Sequence, residues 1–283
     1  RNRIESGSLM KNSLSEFDFQ RNVGRMKRRF SSLWVLLLGS TLLFPAYSAE
    51  REGWELTFSD EFDGDALDRT KWNPFDPWKT ERNAELQAYV SNAFEVKDGT
   101  LRIEIDRKKA FYDNKVRDYT SGMMTTLGKF SQRYGRFEIR CRVPKGHGLW
   151  PAFWMLPDPL SWPPEIDILE ILGHQTDRVH LTHHWPDPAN PTEASKSDSA
   201  EFQGPDFSAD FHTFAVEWEP EEIRWFVDGE QRHRSRESIP DGPMFLLVNL
   251  ALGGGWAGPP DDSTPFPAYF EVDWVRAWQK KAE

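Results

Sequence analysis

One cysteine in 283 residues leaves no partner for an internal disulfide. It is Cys141, in RFEIRCRV, where Phe137, Ile139, Cys141 and Val143 alternate with charged residues, so a buried and unreactive thiol is expected. No apolar run is long enough to cross a bilayer comfortably. The longest, Leu33 to Phe44, falls short of the ~20 residues that a spanning helix needs. Positive charge is scarce: 35 Lys and Arg stand against 45 Asp and Glu, a net of −10. Residues 1–49 carry eight of the basic residues and three of the acidic ones, so residues 50–283 sit near −15. A chain that acidic excludes nucleic acid and anionic membrane as natural partners and leaves a neutral ligand. Long amphipathic helices, fixed-period repeats and low-complexity blocks are missing too.

What is there begins with a leader. Met26-Lys27-Arg28-Arg29 is a basic start, the apolar run follows, and Ala46-Tyr47-Ser48 offers small residues at the two positions a signal peptidase reads. Residues 26–49 are therefore expected to be a signal peptide and 1–25 an upstream or disordered segment. Residues 50–283 remain as a single domain, large enough to bury a core without staples. A secreted or periplasmic monomer, free of the membrane once the leader is cut, is the expectation.

Within that domain, short alternating or apolar runs recur with turn signals between them. They include WELTF (54–58), TLRIEID (100–106), GRFEIRCRV (135–143), AFWML (152–156), EIDILEIL (165–172), RVHLTHHW (178–185), HTFAVEW (212–218), IRWFV (223–227), MFLLVNLAL (244–252) and YFEVDWVRAW (269–278). Asp228-Gly229 after IRWFV is a hairpin signal. The Pro- and Asp-rich stretches 186–210 and 257–268 read as loops. So many strands without helices predict an all-β fold, a two-sheet antiparallel jelly-roll sandwich.

The stretch WPPEIDILEIL, Trp162 to Leu172, places Glu165, Asp167 and Glu170 in an aliphatic strand. Strand side chains alternate, so Glu165 and Asp167 share a face while Glu170 would turn into the core. One extra residue, a β-bulge at Ile168–Leu169, returns Glu170 to the acidic face. Three acids on one face are a solvated surface, a set of Ca²⁺ ligands, or a catalytic group. In the catalytic reading, one carboxyl protonates a glycosidic oxygen and the other attacks the sugar. Glu165 and Glu170 would be roughly 13 Å apart at Cα, a gap that two long side chains can largely close. Glu165 is then the nucleophile, Glu170 the acid/base and Asp167 their helper.

Residues 50–283 also hold twelve tryptophans. Trp218, Trp225, Trp274 and Trp278 lie in strand patterns and are candidates for the core or a cleft floor. Trp150, Trp162 and Trp256 sit at loop or strand ends, where flat rings can serve as sugar platforms. In VHLTHHW, His180 and His184 share a face and His183 points the other way. No other ligand set stands at a spacing convincing for zinc. His212 reads as structural.

Residues 54–279 resemble glycoside hydrolase family 16, in particular its laminarinase-like members. EIDILE resembles the family's E-[I/V]-D-x-x-E signature in its bulged form. FSDEF (58–62), ERNAELQAY (81–89), YGRFEIRCRVPKGHGLWPAFWMLP (134–157), FHTFAVEWEPEEIRWFVDG (211–229), NLALGGGWAG (249–258) and FEVDWVRAWQ (270–279) follow in the family's order. The resemblance implies a concanavalin A-like jelly roll and retaining, endo-acting hydrolysis of β-glucan, with β-1,3-glucan expected first. It puts the nucleophile on Glu165 and the acid/base on Glu170. It also implies substrate contacts at His184, from the T-x-H-[Y/W] match to Thr182, His184 and Trp185, and at Asn83, Arg136 and Trp154. No cofactor is implied for catalysis, but a structural Ca²⁺ is, on Glu61, the carbonyl of Gly99 and Asp273. Pro164 stands where laminarinases often have Gly, and PPEID is similar also to members that cut bacterial exopolysaccharides.

Overall fold

The computed structural model describes residues 50–192 and 194–282. The leader expected over 26–49 and the segment 1–25 lie outside the described residues. Two sheets make the fold. The first runs β16 (Glu230–Ser235), β15 (Ile223–Val227), β14 (His212–Trp218), β9 (Gly135–Arg142), β18 (Ala268–Lys280), β4 (Thr100–Ile105) and β3 (Phe94–Lys97), with β1 (Trp54–Asp60) pairing the far end of β18. The second runs β13 (Ser195–Gln203), β12 (Arg178–Pro186), β11 (Glu165–Glu170), β10 (Leu149–Pro157), β17 (Met244–Leu252) and β8 (Met123–Thr125). All neighbours in both sheets are antiparallel. A hairpin of β5 (Ala110–Tyr112) and β6 (Lys115–Arg117) stands apart. A short parallel pair, β2 (Gln87–Tyr89) with β7 (Tyr119–Ser121), is the one departure from the antiparallel expectation among the described strands. The sandwich is the predicted jelly roll.

The core fills the space between the sheets, and alternation explains it. Phe137, Ile139 and Cys141 of β9, Val216 and Trp218 of β14, and Val272 and Val275 of β18 face Ile166, Ile168 and Leu169 of β11 and the alternate residues Met244, Leu246, Val248, Leu250 and Leu252 of β17. Trp218 and Trp225 belong to this core, whereas Trp274 lies buried under the Arg276 guanidinium, 4.2 Å from its ring centre. Cys141 is fully buried, and burial pushes its thiol well up, which keeps it inert. A second, smaller apolar cluster forms on the other face of the second sheet. There Tyr89, Met123, Leu156, Phe245 and Leu247 are roofed by Trp78, Tyr112 and Trp154. This explains why β17 is buried along its whole length.

Asp228 and Gly229 both have positive φ and close the β15–β16 hairpin, as their sequence predicts. The stretch 186–210 is not all loop: Ser195–Gln203 forms β13, paired to β12 through nine residues. It is an outer strand of polar residues, so it carries no apolar pattern to betray it. Among the described residues no helix is long and apolar enough to cross a membrane.

Candidate active site

The open face of the second sheet carries a cleft of about 920 Å³. Glu165, Asp167 and Glu170 all line it, because β11 is bulged. The pairing runs Glu165 to His184, Ile166 to His183 and Asp167 to Thr182, and resumes with Glu170 against His180, one residue late. The same shift appears on the β10 side, where Trp154 faces Asp167 and Ala152 faces Glu170. Ile168 and Leu169 both enter the core. The extra residue thus sits where the acid spacing demands it.

Each acid has its own surroundings. Trp150 donates its indole N–H to Glu170 Oε1 at 3.1 Å. Glu165 and Asp167 stand side by side on the cleft face, and the charge of Asp167 favours the protonated form of Glu165. His184 Nε2 lies 3.3 Å from Asp167 Oδ2, at ion-pair distance but out of line for a hydrogen bond. Asp167 is only 2% exposed, and Glu165 and Glu170 are half-buried. Burial, reinforced by neighbouring negative charge, raises all three carboxyls. Glu165 and Asp167 move well above the usual carboxylate range, and Glu170 is pushed up to about 8. Such a site holds fewer than three charges at neutral pH. Glu165, Asp167 and His184 also bring ligand atoms within 4.8 Å of one another. A cation there would have to displace the protons that burial favours.

Aromatic rings flank the acids on both sides. Trp162, 53% exposed, leans toward His184 beside Glu165. Trp256, 42% exposed, packs edge-on against Trp150 and over His180 beside Glu170. Trp256 arrives on the short turn Gly254–Ala257, which presses on the Asn83–Glu85 turn. A Cβ on Gly254, whose φ is +83°, would stand 2.9 Å from the Asn83 carbonyl, so this close approach needs glycine. Trp154 lines the cleft, stacks on Trp78 at 6.0 Å and donates to Asn249 Oδ1 at 2.7 Å. Asn83 lines it too, bonded to Glu85 Oε1 at 3.2 Å.

Arg136 does not reach the cleft. It lies in β9 of the other sheet, buried and ion-paired to Glu138 at 2.7 Å and Glu217 at 3.1 Å, because its side chain points to the sandwich's outer side. The expected Ca²⁺ ligands are also engaged otherwise. Glu61 forms a forked pair with Arg276 and Asp273 pairs with Arg140, while Gly99 sits in the turn between β3 and β4. A hard cation needs six to eight oxygens, and here each carboxylate already faces a guanidinium, so the residues as arranged do not fit the ion.

Other cleft residues were not singled out in the sequence: Trp78, Glu85, Asn249 and Ser199. Asn249 had a signal, a lone amide in the apolar run MFLLVNLAL. Glu85 lies in ERNAELQAY, a stretch quoted for the family resemblance, but Trp78 comes from a loop far away in sequence and gave no signal. Burial raises the Glu85 carboxyl, which accepts from Gln87 Nε2 at 2.7 Å.

The profile of glycosyl hydrolases family 16 matches residues 81–276. A beta-glucanase of Rhodothermus marinus is 39% identical over 279 residues, 90% of this chain and 96% of that protein. An endo-1,3-1,4-beta-glycanase of Rhizobium meliloti (strain 1021) is 38% identical over 80% of this chain, which spans about half (52%) of that relative's length. Among solved structures, the laminarinase catalytic domain of Thermotoga maritima MSB8 superposes with a TM-score of 0.73 at 37% identity, covering 82% of this chain and all (100%) of that one. A family profile over most of the chain, a relative matched along nearly its whole length and a shared sandwich agree with the cleft's paired acids: the chain belongs to family 16 of the glycosyl hydrolases and is a glycoside hydrolase.

Proposed function

We propose that this protein cuts β-glucan chains internally with retention of configuration, and that β-1,3-glucan is its main substrate. The carrying observation is the bulged strand that brings Glu165, Asp167 and Glu170 to one cleft face with their pKa values raised. Glu170, raised to about 8, holds a proton at neutral pH and gives it to the departing glycosidic oxygen. With the proton of the Glu165–Asp167 pair resting on Asp167, Glu165 attacks the anomeric carbon as a carboxylate; the bond to the leaving sugar breaks as the bond to Glu165 forms. Water then replaces Glu165 after Glu170, now a base, takes its proton. Asp167 and His184 steady Glu165 between the two steps. A neutral sugar chain suits an acidic protein, and an open cleft with rings on both sides of the acids suits attack within a chain. The expected leader and a polymeric substrate support a site of action outside the cytoplasm.

The β-1,3 reading is supported by relatives named for it, such as the glucan endo-1,3-beta-glucosidase A1 of Niallia circulans, 33% identical over 81% of this chain and 38% of that protein. The Rhizobium meliloti relatives named as endo-1,3-1,4-beta-glycanases support a second reading, mixed-linkage hydrolysis. Digestion of laminarin, lichenan and a bacterial exopolysaccharide, with the anomer of the first product followed by NMR, separates these readings. Laminarin should be cut fastest, to β-configured products. Glu165→Gln should lower hydrolysis by several orders of magnitude and still bind oligosaccharide; undiminished turnover would remove Glu165 from its role.

A further inference from the structure

One buried hydrogen bond on the core side of β11 has no part in the steps above. Trp225 of β15, fully buried, donates its indole N–H to the backbone carbonyl of Asp167 at 2.8 Å. The bond crosses from one sheet to the other. It also meets β11 at a particular place: Asp167 is the last residue in register with Trp154 and Thr182 before the extra residue enters. A bulge disrupts the ladder locally and frees backbone groups from it. A buried carbonyl that turns toward the core must find a donor there or lose free energy. Trp225 is that donor, and it can serve only if the turned carbonyl belongs to Asp167. Moving the bulge by one residue would strand the indole and swing an acid off the cleft face.

Trp225 is itself braced. Its ring packs 4.9 Å from His233 of β16, and His233 Nε2 stands 3.4 Å from Asp198 of β13. His183 of β12, wholly buried, lies behind the same strand and packs on Trp185. The groups around the bulge are thus Glu165, Asp167 and Glu170 with His180 and His184 on the cleft side, and His183, His233 and Asp198 on the core side. Burial drives His183 down to about 4, so it stays neutral across the working pH range.

We propose that Trp225 is a positioning residue for hydrolysis: its indole N–H pins the bulge at Asp167 and so sets where Glu170 stands relative to Glu165. The inference rests on the catalytic reading of those two acids. Because the pin reaches only a backbone carbonyl, its loss should leave sugar binding in place and misalign the acids.

Trp218 supplies a matched control. It too is fully buried in the core and donates to a backbone carbonyl, that of Pro240 at 3.0 Å, away from the bulge. Both Trp225→Phe and Trp218→Phe should melt at lower temperature. Only Trp225→Phe should lose kcat, by about 10- to 100-fold with KM nearly unchanged, since a displacement near 1 Å costs that much. Its alkaline limb should move down by about one pH unit as Glu170 separates from its neighbours. Equal kcat and equal pH profiles for the two variants would overturn the proposal. Should Trp225→Phe fail to fold, benzothienylalanine at 225 keeps the bicyclic shape without the N–H and is read in the same way. If the parent cuts no glucan, the catalytic reading fails, and ¹³C NMR titration of the cleft carboxyls still decides the pin. A titration changed by Trp225→Phe and not by Trp218→Phe upholds it, and an identical pair refutes it.

Discussion

Glu170 carries opposite obligations toward catalysis and toward folding. Its carboxyl is raised to about 8 by burial, with Glu165 adding like charge. The folded state therefore holds a proton that the unfolded chain releases above its usual value near 4.5. Folded protein binds more protons between those values, so the stability this group contributes is full below about 4.5 and is lost as pH rises toward 8. Glu170→Gln removes the charge problem along with the acid. It should be inactive and yet more stable than the parent at pH 8, by on the order of 1–3 kcal/mol, with the difference closing near pH 4.5. Urea unfolding at the two pH values checks this; a pH-independent difference would contradict it. Trp150 works on the same carboxyl with the opposite sign. Its N–H stabilises the ionised form, so Trp150→Phe should move the alkaline limb of the rate profile upward by up to about one unit. A downward move would mean that the indole serves the protonated acid.

At the scale of elements, β11 turns on parity. Strand faces repeat every two residues, and the acids at 165, 167 and 170 break that count once. Deleting Leu169 leaves E-I-D-I-E, a regular alternation that keeps all three acids on the cleft side. It also removes a buried leucine, at a cost of about 2–5 kcal/mol. A folded, less stable enzyme with reduced activity is expected. Inserting Ala after Leu169 turns Glu170 toward the core and should abolish hydrolysis. Rates and melting temperatures of the two variants check both, and an active insertion alongside an unfolded deletion would refute the bulge argument. The parity break was legible in the sequence because acids are costly in a core and the aliphatic residues around them leave one face to fill. The ten quoted runs were legible for the same reason, since each has a dry side. β13 was not: as an edge strand it has little dry side, and Lys196, Asp198 and Glu201 read as loop. Of the cleft wall from Trp78 to Glu85, only Asn83 was legible, through the match over 81–89; Trp78 was not, because its place in the wall is set by contacts distant in sequence. The hairpin of β5 and β6 braces it, with Tyr112 on Asp76 and Arg117 on the Glu85 carbonyl. Arg136 shows the opposite hazard: a motif match gave it a place in the cleft, and strand geometry put it outside.

For the molecule as a whole, the described charges are arranged so that acids on the first sheet meet arginines. Glu61 with Arg276 and Asp273 with Arg140 are two such pairs. With these carboxylates neutralised in place, a chelator should leave the melting temperature unchanged. A fall of several degrees in EDTA, restored by Ca²⁺, would show that an ion replaces the guanidinium groups, because a ligand that binds only the folded state stabilises by mass action. The cleft's layout bears on turnover as well. Trp162 stands beside Glu165 and Trp256 beside Glu170, so on the proposed reading a severed chain would leave each half resting on an aromatic ring of its own. Bond breaking then does not clear the groove. Departure of the fragments should then be the slow event: short oligosaccharides should inhibit, and the first cut on a long chain should run faster than those that follow, as a comparison of burst and steady-state rates would show.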